Sequence, residues 1–500
     1  MKKRVERLRG MHDLLPETQL HQHWLIDQVS ALLGQAGYAR VDTPVLERSD
    51  LFQASFGQDL WQNLYAFHLH HRDLCLRPEY TASICRLYLD SYQHQSLPLR
   101  FQYAGPIFRY EAPGRSRYRQ HTQIGIELFG GQTVAADAEM MQLACDVLHE
   151  FHISQYRLEL GHIGVASGFI NRLHLDDHAA RLLLSLMEQI NRFEDGERIA
   201  QERLEALYPS DEKLSSDTFS GAMASEVETH YITSLLGGIS ISFGDDGARR
   251  EVVERFLWKM GRSEQRRQIL YALEFLRALH AVSGPPPEVF GALRELLNRY
   301  KLAPEPLIEL QQLVAIIEQS GVPANQIVLN LSLGRGVSYY TGLVFEIHAQ
   351  EDDGFDTQLC GGGRYDRLMR AVGSPRDVNA CGFAFGVERL LSLVPESGLP
   401  ALDITQALVI PVSEMEMPYA LQVARRVRAQ GIRTEVDVSG HGVGAGLKQA
   451  SKRQIRLALI VGEDEQHKEV VTVRDLSTGE ERISPIDALT QKVEGEKQYL

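Results

Sequence analysis

At 500 residues, 44% of them hydrophobic and 24% charged, the chain exceeds one small core, and a prior of one domain per ~150 residues predicts two to four. The formal net charge of -14 argues against bulk attraction to nucleic acid or an anionic membrane, leaving only local basic surfaces for such contacts, and no apolar run reaches the ~18 to 20 residues that cross a bilayer. The opening "MKKRVERLRGMHDLLP" has no apolar h-region, and five scattered cysteines without a CxxC pair fit reduced thiols, so a soluble cytoplasmic protein is expected.

In chain order, residues 17 to 36 carry apolar residues at helical spacing up to Gly37, and "YARVDTPVLE" then reads as a strand stopped by Pro44. Strand-like pieces follow at "LYAFHL", "DLCLR", "LRFQYAG" and "IGIELFG", then a helix at "DAEMMQLACDVLHEF" and a further strand at "QYRLELGHI". Many strands and few helices predict a mostly antiparallel sheet. From about 170 to 325 the pattern turns to long helices rich in Leu, Glu and Arg, broken by the three prolines of "SGPPPE". The strand pattern returns with "QIVLNLSLG", "LVFEIHA" and "DTQLCGGGRYD", so both flanks of this helical insertion are expected to share one sheet. After the linker "PESGLPALD", strands and helices alternate as in a small α/β domain.

The candidate chemistry sits in four stretches. "FRYEAPGRSRYRQ" concentrates Arg109, Arg115, Arg117 and Arg119 between two strands, and a guanidinium fork holds phosphate through two hydrogen bonds, although a solvated hairpin tip would look the same. On the next strand Gln123, Gly125 and Glu127 share a face, an amide and a carboxylate beside a gap that suits an ammonium or imidazole. "LCLRPEYT" offers Arg77, Glu79 and Thr81 at period two, read as a strand end because of Pro78. "LCGGGRYDRL" has three glycines that allow close approach of a ligand to the backbone before Arg364. "HLHHRD" holds His68 and His70 on one face without a clustered third ligand, so no metal site is assigned.

Taken in order, these motifs resemble the histidyl-tRNA synthetase family of class II aminoacyl-tRNA synthetases over most of the chain. The resemblance implies an α+β fold: a class II antiparallel-sheet catalytic core at 1–168 and 326–395, a helical insertion at 169–325, and an α/β anticodon-binding-like domain at 403–500. "TPVLE" looks like motif 1, the element of a homodimer interface. "FRYE" looks like motif 2, implying that Arg109 holds the ATP α-phosphate, with Glu111 and Arg119 also in the ATP set; "GVER" looks like motif 3, with Arg389 near the γ-phosphate. The same resemblance gives Glu79, Thr81 and Gln123 to the amino-acid pocket, and Glu127 with Tyr340 to the imidazole of histidine. "RGVSYYTG" is similar to the first histidine-specific motif, implying that Arg335 is a catalytic arginine on the substrate carboxylate and α-phosphate, with Tyr339 in the amino-acid set. ATP, Mg²⁺, histidine and tRNA(His) are the implied cofactors and partners.

The chain departs from the family pattern at Ser338, where an aspartate is usual, at Tyr110 and Ala112 in motif 2, and in an insertion that is long and not visibly basic. Two rivals follow: a non-catalytic histidine-binding regulatory subunit of ATP phosphoribosyltransferase, and an adenylating paralogue with another acceptor.

Overall fold

The computed structural model describes residues 5–53, 63–110, 114, 118–173, 175, 179–180, 183, 198, 202, 265–334, 339–351, 353–401 and 405–488. Of the residues singled out by sequence, Glu111, Ala112, Arg115, Arg117, Arg335 and Ser338 lie outside the described set. The chain divides into two compact units, Met1–Pro400 and Ala401–Leu500.

The first unit is built on a sheet of nine strands. In chain order its strands are β1 (Ala39–Arg40), β5 (Leu99–Phe108), β6 (Gln120–Phe129), β7 (Tyr156–His162), β8 (Ser283–Gly284), β9 (Ile327–Asn330), β10 (Leu343–Gln350), β11 (Asp356–Arg364) and β12 (Ala380–Gly386). A separate small sheet holds β2 (Leu46–Arg48), β3 (Ala66–Leu69) and β4 (Arg72–Leu76). The large sheet runs β1-β5-β6-β12-β11-β10-β7-β9-β8, antiparallel except where β1 meets β5 and β7 meets β9. The strands flanking the helical stretch therefore do join one sheet: β10, from after it, pairs with β7, from before it.

Alternation along β6 separates two jobs. Ile124, Ile126 and Leu128 enter one apolar cluster, in which the helix α1 (Pro16–Gln35) contributes Leu25, Val29 and Leu33, and the helix α4 (Thr133–Glu150) contributes Met140, Met141 and Val147. Gln123, Gly125 and Glu127 face the other side, towards a second cluster that includes Tyr80, Tyr103, Tyr339 and Tyr365. Within the stretch expected as an insertion, residues 265–280 are helical, and the helices Pro286–Arg299 and Glu305–Gln319 follow. Their Phe275, Leu293, Leu310 and Ile317 are buried in the same cluster as the sheet residues Leu158 and Phe345. The "SGPPPE" prolines separate two helices and also start one, since Pro286 opens its first turn, where a missing N–H costs no hydrogen bond.

The second unit is a five-stranded sheet in the order β14-β13-β15-β16-β17. Its strands are β13 (Ala407–Pro411), β14 (Thr434–Val436), β15 (Leu457–Val461), β16 (Val470–Asp475) and β17 (Glu481–Pro485). The first three run parallel, with crossover helices at Met417–Ala429 and Val443–Lys452. The last two are antiparallel additions.

Candidate active site

Three pieces of chain bring the acids together. β4 ends at Leu76, and Pro78 stops it, so "LRPEYT" is not a strand continuing at period two: Glu79 lies in a turn and Thr81 is the first residue of the helix α3 (Thr81–Ser91). In that turn Glu79 accepts a hydrogen bond from the Ala82 amide at 3.0 Å, serving one of the open donors of the helix start. Its second oxygen accepts from the Tyr339 hydroxyl at 3.1 Å. Tyr339 therefore meets the pocket through Glu79, with its own side chain buried.

Glu127 stands on β6 beside this turn, buried, with Thr81 Oγ1 donating to one oxygen at 2.7 Å and the Tyr365 hydroxyl donating to the other. Burial pushes its carboxyl up to about 8, against the pull of the Tyr365 and Thr81 hydroxyls. Burial likewise raises Glu79 above the usual carboxylate range, opposed by its hydrogen bonds and by the charge of Arg109. Two buried carboxyls with raised proton affinity favour a ligand that brings N–H donors or positive charge.

The glycines seen in the sequence serve neighbouring side chains. A Cβ on Gly363 would lie 2.9 Å from the Tyr340 ring, and one on Gly382 would lie 2.0 Å from Glu127 Oε2. What the "GGG" run lets close to the backbone on this face is thus the ring of Tyr340. Arg364, which follows it, is buried and paired with Asp137 at 2.7 Å, so it stitches β11 to α4.

The cationic end lies further along the same strand pair. His121, Gln123, Gly125 and Glu127 alternate along one face of β6, which spreads them over about 20 Å at the strand rise of ~3.3 Å per residue. Burial, and then the charges of Arg109 and Arg389, push the His121 imidazole down to about 3. Two guanidinium charges therefore act on one neutral ring. Arg109 is steadied by donating from Nε to Pro78 O at 2.9 Å, and Arg389 by donating from Nη1 to Gln358 O at 3.0 Å. Glu388, beside Arg389, accepts from the Thr122 amide at 2.8 Å and from Gln22 at 3.1 Å, which ties the helix Val387–Leu391 to β6 and α1.

Arg119 takes a different place from its neighbours. Its Nη1 donates to Arg9 O at 3.1 Å and its guanidinium lies 4.0 Å over the Tyr110 ring, while its amide donates to Gly10 O at 2.9 Å. The early "RGMHD" segment is thereby fastened to the start of β6. Sequence reasoning gave no role to Asp137 or His121, and reached Tyr365 only as part of "GGGRYD", which resembles the second histidine-specific motif of the family.

An antiparallel sheet carrying buried acids at one end of a strand pair and arginines at the other has the architecture of a class II aminoacyl-tRNA synthetase core. A family model described as histidyl-tRNA synthetase matches residues 10–213 and 250–390, and one described as anticodon binding domain matches residues 406–496. The histidine--tRNA ligase of Pyrococcus horikoshii is 30% identical over 492 residues, covering 98% of this chain and 98% of that protein. Among solved structures, apo Staphylococcus aureus histidyl-tRNA synthetase aligns with a TM-score of 0.61 at 22% identity, covering 97% of this chain and 99% of its own. The histidyl-tRNA synthetase of Nostoc sp. PCC 7120 aligns at 0.60 and 20%, covering 100% of both chains. The chain belongs to the histidyl-tRNA synthetase family.

Proposed function

We propose that the protein activates histidine with ATP to histidyl-adenylate and passes the histidyl group to tRNA(His). The observation that carries this reading is the polarity of one strand pair: two buried acids, Glu79 and Glu127, at one end, and Arg109 with Arg389 around His121 at the other. An amino acid with an ammonium and a ring N–H fits the first end and a polyphosphate fits the second, which sets a carboxylate beside the α-phosphate between them. In this reading Glu79 and Gln123 take the α-ammonium, and Glu127 and Tyr340 take the imidazole. Thr81 and Tyr339 hold the two acids. Arg109 and Arg335 stabilise charge as the histidine carboxylate attacks the α-phosphate and pyrophosphate leaves, with Arg389, Glu111 and Arg119 completing the ATP set. Mg²⁺ belongs to the same proposal: it binds largely through substrate phosphates and water, and when bound it offsets phosphate charge.

The family match at residues 406–496 supports tRNA(His) as acceptor, with the second unit as its anticodon-binding domain. It also supports a separate carboxy-terminal domain at 403–500, and the division of the first unit into 1–168, 169–325 and 326–395 is part of the same proposal. Homodimerisation through the "TPVLE" segment and a cytoplasmic location complete the reading. No helix among the described residues is long and apolar enough to cross a membrane, and all five cysteines are buried free thiols, as suits a reducing compartment.

Amino-acid-dependent ATP–pyrophosphate exchange tests the first step. Exchange with histidine and no other standard amino acid is expected; its absence in folded protein would overturn the proposal and favour the regulatory-subunit reading. Charging of tRNA(His) transcripts then tests the acceptor, and exchange without charging would point to another one.

A further inference from the structure

β9 ends in a turn at the far end of a row that begins at Glu127. The Leu333 amide donates to Asn330 O at 3.1 Å, and the Ser332 amide donates to the Asn330 side chain at 3.2 Å, which fixes the atom there as Oδ1, since an amide N–H can only donate. Gly161 of β7 makes room for this turn: a Cβ there would lie 2.8 Å from both Asn330 O and Leu333 Cβ. Gly161 is in register, through Val344 and Gly363, with Gly382 and Glu127, so the turn and the buried acid close opposite ends of one row across the sheet. In sequence the turn is followed by Arg335 and then by Tyr339, whose hydroxyl donates to Glu79 at 3.1 Å.

The turn is also held from the helical stretch expected as an insertion. Ser332 is 1% exposed, and its Oγ meets Asn330 Oδ1 at 2.9 Å and His280 Nδ1 at 3.1 Å. The one hydroxyl proton goes to Asn330 Oδ1, which cannot donate, so Oγ accepts from the Nδ1–H of His280. His280 closes the helix 265–280, whose Phe275, Leu276 and Leu279 are buried in the larger core. The chain after it is sewn to β9, because the Leu331 amide donates to Val282 O at 3.2 Å and β8 pairs with β9.

We infer that His280 is a positioning residue for adenylate formation: its imidazole N–H, through Ser332 and the Asn330–Leu333 turn, sets the start of the chain segment that bears Arg335. This rests on the proposed histidine activation, in which Arg335 acts on the carboxylate and the α-phosphate. The His280 side chain is exposed, so replacing it removes a hydrogen bond without opening the core. A guanidinium that stabilises charge in the transition state depends on where its segment leaves the sheet, whereas ground-state binding by Glu79, Glu127 and Arg109 does not.

The test is His280→Ala in the full chain, assayed by ATP–pyrophosphate exchange with thermal unfolding alongside. The expected result is kcat lowered about tenfold, KM for histidine and for ATP unchanged, and an unfolding midpoint close to that of wild type. His280→Asn presents an amide N–H where Nδ1–H stands and restores kcat, whereas His280→Gln presents it further out, near the place of Nε2, and does not. In an Arg335→Ala background, His280→Ala brings no further loss, because the residue it acts through is already gone. Equal behaviour of the Asn and Gln variants, a loss of kcat that follows a lowered midpoint, or a further loss of the same size in the Arg335→Ala background overturns the inference. Absence of histidine-dependent exchange in the wild-type protein defeats the proposed function and this inference together; normal exchange by wild type with an unchanged kcat in His280→Ala defeats only the inference.

Discussion

Glu127→Gln separates what the buried carboxyl costs the fold from what it gives to the site. The carboxyl sits at about 8 in the folded protein against 4.5 for an ordinary glutamate. Because the folded state holds the proton more tightly, stability from this group is fully present below pH 4.5, falls as pH rises to about 8, and is level above that. At ~1.4 kcal/mol per pH unit the span sets an upper bound of about 5 kcal/mol on the cost of the ionised form. A glutamine of nearly equal size does not titrate. The variant is therefore expected to unfold at a higher temperature than wild type at pH 9, with the difference shrinking towards pH 5, followed by calorimetry of the Met1–Pro400 transition across that range. Histidine-dependent exchange falls by orders of magnitude in the same variant. A midpoint difference that is constant with pH would refute the reasoning, since it would mean that Glu127 does not change its proton occupancy on folding.

Arg109→Ala should leave the unfolding midpoint nearly unchanged while cutting ATP–pyrophosphate exchange by orders of magnitude, and it should raise the His121 pKa, readable by NMR, because one of two neighbouring positive charges is gone. Asp137→Ala takes two acceptors from the buried Arg364 guanidinium while leaving it Asp366 at 3.1 Å and Thr133 O at 2.9 Å, so a loss of about 1 to 3 kcal/mol is expected in denaturant unfolding. Gly382→Ala places a methyl 2.0 Å from Glu127 Oε2 and 2.4 Å from Ile126 O, so histidine binding by calorimetry should be lost together with stability. Arg335→Ala should fold as wild type, monitored by circular dichroism, and lose adenylation.

Much of the core was legible because its signals are local. Alternation in "IGIELFG" gave β6 and with it the shared face of Gln123 and Glu127, and the strand–helix alternation after residue 403 gave the second unit. The misreading of "LRPEYT" came from applying strand spacing through Pro78, when the chain had already turned towards α3 and used Glu79 at the helix start. β17 escaped notice because "ERISP" is short, polar and mostly exposed at a sheet edge, where no apolar face has to be specified. The contacts that define the pocket were beyond the reach of spacing: Tyr365 meets Glu127 across 238 positions, and Arg364 meets Asp137 across 227. Arg119 shows the same limit within a motif, since no spacing announces the bonds from its side chain to Arg9 O and from its amide to Gly10 O.

The close contacts of Gly363 and Gly382 bear on how this scaffold could come to choose a different amino acid. Tyr340 and Glu127 each occupy space vacated by a glycine on another strand, so the outline of the cavity is set partly by atoms that are missing from the floor. Exchanging a wall group for a larger or differently angled one would have no effect on those floor positions, and enlarging the floor would expel the wall. Under the proposed function, substrate choice is a joint property of β6, β11, β12 and the tyrosine segment, and a new choice requires paired changes, Glu127 with Gly382 and Tyr340 with Gly363, on separate pieces of chain.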